Sequence, residues 1–193
     1  MGQESNVIVC LSGPRGSGKT LISKLLRKKY GAVDLHVGYI MRMLAAKVGM
    51  TPIDLMNKLI RERGKEGVAE AIAPFVRSFS KKSNMVVIQG VYRPEDIIGL
   101  KRIFPDARFH TVFVDASNRV RVDRVANRDK IDREAAQRST RQRDAQRKSH
   151  GIDQLKRVMD QRVKNNGDIP GLFRRVDRAM QRSVGHIPPR SRH

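Results

Sequence analysis

The eight residues Gly13-Pro14-Arg15-Gly16-Ser17-Gly18-Lys19-Thr20 constrain this chain more than any other stretch. They satisfy the pattern G-x-x-x-x-G-K-S/T in full. Before them runs Val7-Ile8-Val9-Cys10-Leu11, a continuous apolar segment rich in β-branched residues, as expected of a strand covered on both faces. After them Leu21, Ile22, Leu25 and Leu26 recur at helical spacing among lysines. A strand, a glycine-rich loop and a helix in that order make a phosphate-binding loop. Glycine at 13, 16 and 18 lets successive backbone N–H groups converge on phosphate oxygens, and the helix adds its positive N-terminal end. Pro14, Arg15 and Ser17 complete the cradle. Lys19 is placed to bridge the β- and γ-phosphates, and the Thr20 hydroxyl to ligate Mg²⁺. The expected ligand is a nucleoside triphosphate, ATP with Mg²⁺.

The rest of the chain alternates strand and helix patterns. Residues 32–37 read as a second strand, 40–48 as a helix, and Thr51-Pro52 as the cap and first turn of another. A helix is expected over 68–79, strands over 84–88 and 109–114, and a polar, helix-prone stretch over 118–148. Arg162-Val163-Lys164 reads as a short last strand. Asp168 is expected to cap a final amphipathic helix carrying Ile169, Leu172, Phe173, Val176 and Met180. This pattern predicts an α/β fold, a parallel sheet of about five strands wrapped by helices. One domain over 1–184 is expected, with acceptor-binding helices around 38–80, a lid around 124–148 and a basic tail over 185–193.

With 193 residues, 39% of them hydrophobic, the chain is large enough to bury a core. No apolar run approaches the roughly 20 residues that span a bilayer, and the first strand begins too early to leave room for a signal peptide. Cys10 is the single cysteine and reads as a small apolar residue of the first strand; a cytoplasmic setting is expected. The five histidines show no metal-ligand spacing, so no zinc site is expected. The formal charge of +21 is extreme for an enzyme acting on small anions. Such a field attracts polyanions, which makes nucleic acid or a ribonucleoprotein a candidate partner.

Further motifs resemble those of nucleoside monophosphate kinases, nearer still dephospho-coenzyme A kinase and its uncharacterised archaeal relatives. Gly38-Tyr39-Ile40-Met41-Arg42 stands where these kinases carry Gly-Asp followed by Arg, and Gln89-Gly90-Val91-Tyr92-Arg93 where they carry Asp-Gly-x-x-Arg. The resemblance implies that Arg42 and Arg93 hold an anionic acceptor through fork-like hydrogen bonds. It also implies that residues 124–134 belong to a lid whose arginines, Arg124 and Arg128 first, Arg133 and Arg138 next, reach the transferring phosphoryl group. Both aspartates of the kinase motifs are absent. A neutral Gln89 is expected to hold the Mg²⁺ hydration shell less well than a carboxylate, so Gln89→Asp is expected to raise turnover. Asp115 after the fourth strand reads as a cap or a metal-side residue, and Tyr39 and Tyr92 as walls of the acceptor pocket.

Two functions follow. One is a phosphotransferase moving the γ-phosphoryl group of ATP to a nucleotide-like acceptor. The other is a degenerate kinase or ATPase whose basic surface docks on RNA, DNA or a ribosomal particle.

Overall fold

A computed structural model describes residues 7–167 and 169–184. The expected cap at Asp168 and the expected tail over 185–193 lie outside the described residues. Five parallel strands, β1 (Val7–Ser12), β2 (Val33–His36), β3 (Met85–Gln89), β4 (Arg108–Asp115) and β5 (Gln161–Lys164), form one sheet in the order β2-β3-β1-β4-β5. The connection from β1 runs out to β2, leaving β3 to return between them, while β4 and β5 extend the other side. The topology thus reverses beside β1, and the crevice at the carboxyl end of that strand is where ligands of open parallel sheets bind.

Alternation along the strands sends side chains to opposite faces. Ile8, Cys10, Val86, Ile88 and Phe113 face one layer, made of α2 (Val37–Lys47), α3 (Pro52–Arg63), α4 (Gly67–Ser80), α5 (Pro94–Ile103) and α8 (Ile152–Val158). Val7, Val9, Leu11, Val87 and Val114 face α1 (Lys19–Tyr30) and α9 (Ile169–Val184), which contributes Leu172, Val176 and Met180. Cys10, on the face of Ile8 and Ile88, is fully buried, and loss of solvation pushes its thiol up to about 12. It is a packing residue with no thiolate at neutral pH.

Thr51 caps α3 as expected, its hydroxyl accepting from the Asp54 N–H at 3.2 Å, with Pro52 in the first turn. The stretch read as polar and helix-prone over 118–148 forms two helices: α6 (Asn118–Asp129) ends where Lys130 turns left-handed at φ 54°, and α7 (Arg133–Ser149) restarts on the Asp132 cap. Two helices, α5 and α8, lie in stretches to which the sequence pattern assigns no element. Pro94 followed by Glu95 and Asp96, with Lys101 and Arg102 in the last turn, is a dipole-matched helix that sequence reasoning passed over.

Candidate phosphate-binding and acceptor site

The loop after β1 adopts the geometry its glycines allow. Gly13, Gly16 and Gly18 sit at φ 134°, 78° and 102°. A Cβ at Gly13 would stand 2.1 Å from the Val114 carbonyl oxygen, and one at Gly18 would stand 2.1 Å from Asn165 Nδ2. Both positions therefore require glycine on space as well as on dihedral grounds. Within the loop Ser17 is buried and its Oγ has no hydrogen-bond partner among the described residues. A buried, unpartnered hydroxyl in a glycine-rich loop at the start of a helix fits a phosphate oxygen as its partner.

Lys19 is 9% exposed and folds back onto the loop, donating to the carbonyls of Gly13 at 2.7 Å and Pro14 at 2.9 Å. Burial, then the charges of Arg147 and Arg121, pull its ammonium down to about 7. Bound phosphates would reverse that balance by supplying the counter-charge the site lacks. Thr20 donates to Gln89 Oε1 at 3.4 Å, which leaves its oxygen lone pairs for a cation. The residues present thus fit a triphosphate with Mg²⁺.

Gln89 is not a passive neutral substitute. Its Nε2 donates to both carboxylate oxygens of Asp34 on β2, at 2.9 and 2.8 Å. That pairing fixes which way the amide points and turns its oxygen toward Thr20. Sequence reasoning missed Asp34, because its partner Gln89 lies 55 residues further along the chain and only the pairing of β2 with β3 brings the two together.

The lid packs down on the loop. Arg124 on α6 donates to the carbonyls of Gly16 at 3.4 Å and Ser17 at 3.5 Å, and to Asn165 Oδ1 at 3.3 Å. Its expected neighbour Arg128 turns outward to Asp129 at 2.7 Å with its side chain 58% exposed, though its charge reaches Lys19. Arg133 pairs with Asp123 and Arg138 with Glu134, both on the outer surface. Arg15 crosses from the loop to the lid, donating to Ser139 at 2.8 Å and Asp129 at 2.5 Å. Two further arginines were not singled out from sequence. Arg121 is buried, donates to the Arg15 carbonyl at 3.3 Å and pairs with Asp144 at 2.7 Å. Arg147 stacks on the Tyr92 ring at 4.9 Å and donates to its hydroxyl at 3.3 Å. The helical spacing of 121, 124 and 128 was the available signal for the first.

On the acceptor side the two expected arginines part. Arg42 is exposed on α2 beside Gly38 and His36. Arg93 is drawn instead into a brace, donating to the Lys65 carbonyl at 2.9 Å with Glu95 and Asp96 each 3.7 Å away, and only 12% of its side chain is exposed. Tyr39 is exposed while Tyr92 carries the Arg147 stack. Asp115 does not cap α6, whose cap position is Ser117; it pairs with Lys156 at 3.2 Å.

A parallel sheet with a glycine-rich loop between β1 and α1 and a helical lid over it defines a P-loop protein. Comparison with known proteins narrows this: the family model described as AAA domain matches residues 12–150, and the chain belongs to that family, as a nucleoside monophosphate kinase-like member. A UPF0200 protein of Thermococcus sibiricus is 27% identical over 181 residues, covering 91% of this chain and 95% of its own. A cytidylate kinase of Sulfurisphaera tokodaii is 31% identical over 120 residues, 62% of this chain and 61% of its own. Among solved structures, an uncharacterised protein from Eubacterium ventriosum shares the fold with a TM-score of 0.63 at 17% identity, covering 91% of this chain and 99% of that one. Shikimate kinase from Acinetobacter baumannii does so with a TM-score of 0.52 at 16% identity, 94% of each chain being covered.

Proposed function

We propose that this protein is a phosphotransferase that moves the γ-phosphoryl group of ATP, held with Mg²⁺, to a nucleotide-like acceptor. The observation that carries the reading is the loop itself: three glycines at positive φ around a buried, partnerless Ser17 hydroxyl, with Lys19 tied to loop carbonyls. Similarity to a cytidylate kinase of Sulfurisphaera tokodaii supports a nucleotide on the acceptor side. In this reading the loop N–H groups bind the β- and γ-phosphates and Lys19 bridges them. Thr20 would hold the metal, which would supply neutralisation of phosphate charge when bound. Arg124 fixes the loop, and Arg128 and Arg147 supply positive charge above it. Arg42 is the exposed cation left for an acceptor anion; Arg93 acts from behind by bracing α4 and α5. Lys19→Ala tests the reading: it should weaken ATP binding and abolish transfer, and unchanged affinity and turnover would refute it.

A second activity of the same chain rests on a different observation. On α7 only Ala136 and Thr140 are buried, while Arg133, Arg138, Arg141, Arg143 and Lys148 are exposed. With a charge of +21, this favours docking of the lid surface on RNA, DNA or a ribonucleoprotein.

A further inference from the structure

His36 closes β2, and its register partner on β3 is Gln89. β3 pairs with β1, whose end leads into the phosphate loop, so His36 stands two strands from the loop, roughly 10 Å away by strand spacing. The Nδ1–Cε1 edge of its ring rests over two glycines. A Cβ at Gly38 would meet Cε1 and Nδ1 at 3.4 Å, and one at Gly90 would meet Cε1 at 3.5 Å. The Tyr92 hydroxyl reaches that same point over Gly90 at 3.5 Å, and Tyr92 carries Arg147, whose buried NH1 has no hydrogen-bond partner among the described residues. The Arg42 guanidinium comes within 3.8 Å of a Cβ at Gly38. One exposed imidazole is therefore ringed by two arginines and a tyrosine at the mouth of the site.

The His36 ring makes no hydrogen bond among the described residues, whereas Asp34, the other exposed acid–base group on β2, is taken up by Gln89 through both oxygens. The groups that face the ring are Asp34 on its own strand, Lys19 on α1, Arg42 on α2, Tyr92 after β3 and Arg147 on α7. Partial burial first, and then the three cations against the one carboxylate, hold its pKa below the ordinary imidazole range. The ring is a free base at neutral pH.

A neutral base has work to do at this mouth with only one kind of acceptor. A phosphate oxygen is already an anion at pH 7 and attacks without losing a proton, but a hydroxyl must shed one as its bond to phosphorus forms. We infer that His36 takes the proton of an acceptor hydroxyl, so the group phosphorylated is an alcohol on a small anionic molecule held by Arg42 and Arg147. This rests on the phosphotransferase reading and names its substrate class. The hydroxyl oxygen forms the new bond to Pγ. The bond from Pγ to the β–γ bridging oxygen breaks, its electron pair leaving on ADP. The proton passes to a ring nitrogen of His36 and then to solvent, giving a phosphate monoester.

The test uses the full chain with ATP, Mg²⁺ and a panel of nucleoside monophosphates and sugar phosphates, each of which offers both a hydroxyl and a phosphate. An acid-stable ester marks transfer to the hydroxyl and an acid-labile anhydride transfer to the phosphate. The expected result is an ester, with kcat falling on the order of 100-fold in His36→Gln while ATP affinity holds. The acidic limb of the wild-type kcat/KM profile should vanish in that variant, and His36→Asp should restore part of kcat with the limb displaced to lower pH. An anhydride product, or an ester formed with the same pH profile by His36→Gln, overturns the inference and leaves the phosphotransferase reading standing. ATP binding with no product from any acceptor defeats both together.

Discussion

The Asn165 side-chain amide donates to the Ser17 carbonyl oxygen at 2.7 Å, joining the end of β5 to the middle of the phosphate loop. Asn165 is almost fully buried, its own N–H donates to the Asp115 carbonyl at 2.7 Å, and its Oδ1 accepts from Arg124. It therefore sits under Gly18 as a fixed strut, and the loop owes its shape to the far edge of the sheet as well as to its glycines. Asn165→Ala leaves the Ser17 carbonyl without that partner and lets Arg124 drift. Stability should fall by about 1–3 kcal/mol and ATP affinity by roughly tenfold. Denaturant unfolding and calorimetric titration read the two effects separately; full retention of ATP affinity would make the strut structural only.

The pairing of Gln89 with Asp34 reverses an expectation drawn from sequence alone. Without Asp34 in view, Gln89→Asp reads as the repair of a metal site. With it, the change deletes the amide donor and sets a second carboxylate beside the first. Like charges at that range disfavour ionisation of both. Gln89→Asp should therefore destabilise the protein by about 1–3 kcal/mol and lower ATP-dependent turnover. Adding Asp34→Asn should recover part of the loss, giving a coupling visible in a double-mutant cycle. Higher turnover in Gln89→Asp would show that the carboxylate, and not the amide's orientation, is what the site wants.

His110 offers a pH-dependent stability that is independent of the active site. It lies fully buried in β4 beside Val9, and neither ring nitrogen has a hydrogen-bond partner among the described residues. Burial holds its pKa below the ordinary 6.5, against a weaker opposing pull from Asp160. The folded state refuses a proton that the unfolded state accepts. Stability is thus unaffected by this residue well above pH 6.5 and is lost as pH falls from there toward the folded pKa, by up to about 1.4 kcal/mol per pH unit. His110→Val should flatten that acid decline in urea midpoints measured between pH 7 and pH 5. An unchanged pH slope would mean that the imidazole is hydrated or paired in solution.

How far the sequence discloses this site follows from the kind of interaction involved. Gly13 to Thr20 were legible because their roles are local: a dihedral, a close approach, one charge and one hydroxyl fixed by chain neighbours. The strands were legible because burial on both faces leaves a continuous apolar run, as in Val7 to Leu11 and Met85 to Ile88. Asp34, Asn165 and Arg147 were not, since each acts across tens of residues on a partner that only the sheet order brings near. Arg42 and Arg93 show the same divide. Both letters fit an acceptor motif, but the turn after β3 hands Arg93 to the Lys65 carbonyl instead. The break of the lid at Lys130 is a left-handed residue without a glycine, which no spacing rule announces.

The charge of the lid allows the two proposed activities to be separated by salt. Arg138 and Arg141 stand on the exposed face of α7, and the ion pair of Arg138 with Glu134 at 3.5 Å is a surface pair of little energetic weight. A single-stranded RNA lying on this face would neutralise phosphates and release counterions, so its affinity should fall with ionic strength at a log–log slope of about −0.7 per phosphate contacted. Replacing both residues by Glu should weaken binding at every sequence tested and reduce the slope by roughly 1.4, two contacts' worth. ATP binding should change far less, because its phosphates are held by loop N–H groups and Lys19, on the inner side of the lid. Affinities for both ligands, measured from low to physiological salt in wild type and double variant, decide the matter. RNA binding with that slope and that loss gives the lid a second ligand on its outer face. No RNA binding even at low salt refutes the polyanion surface and leaves α7 a helix that closes the nucleotide site.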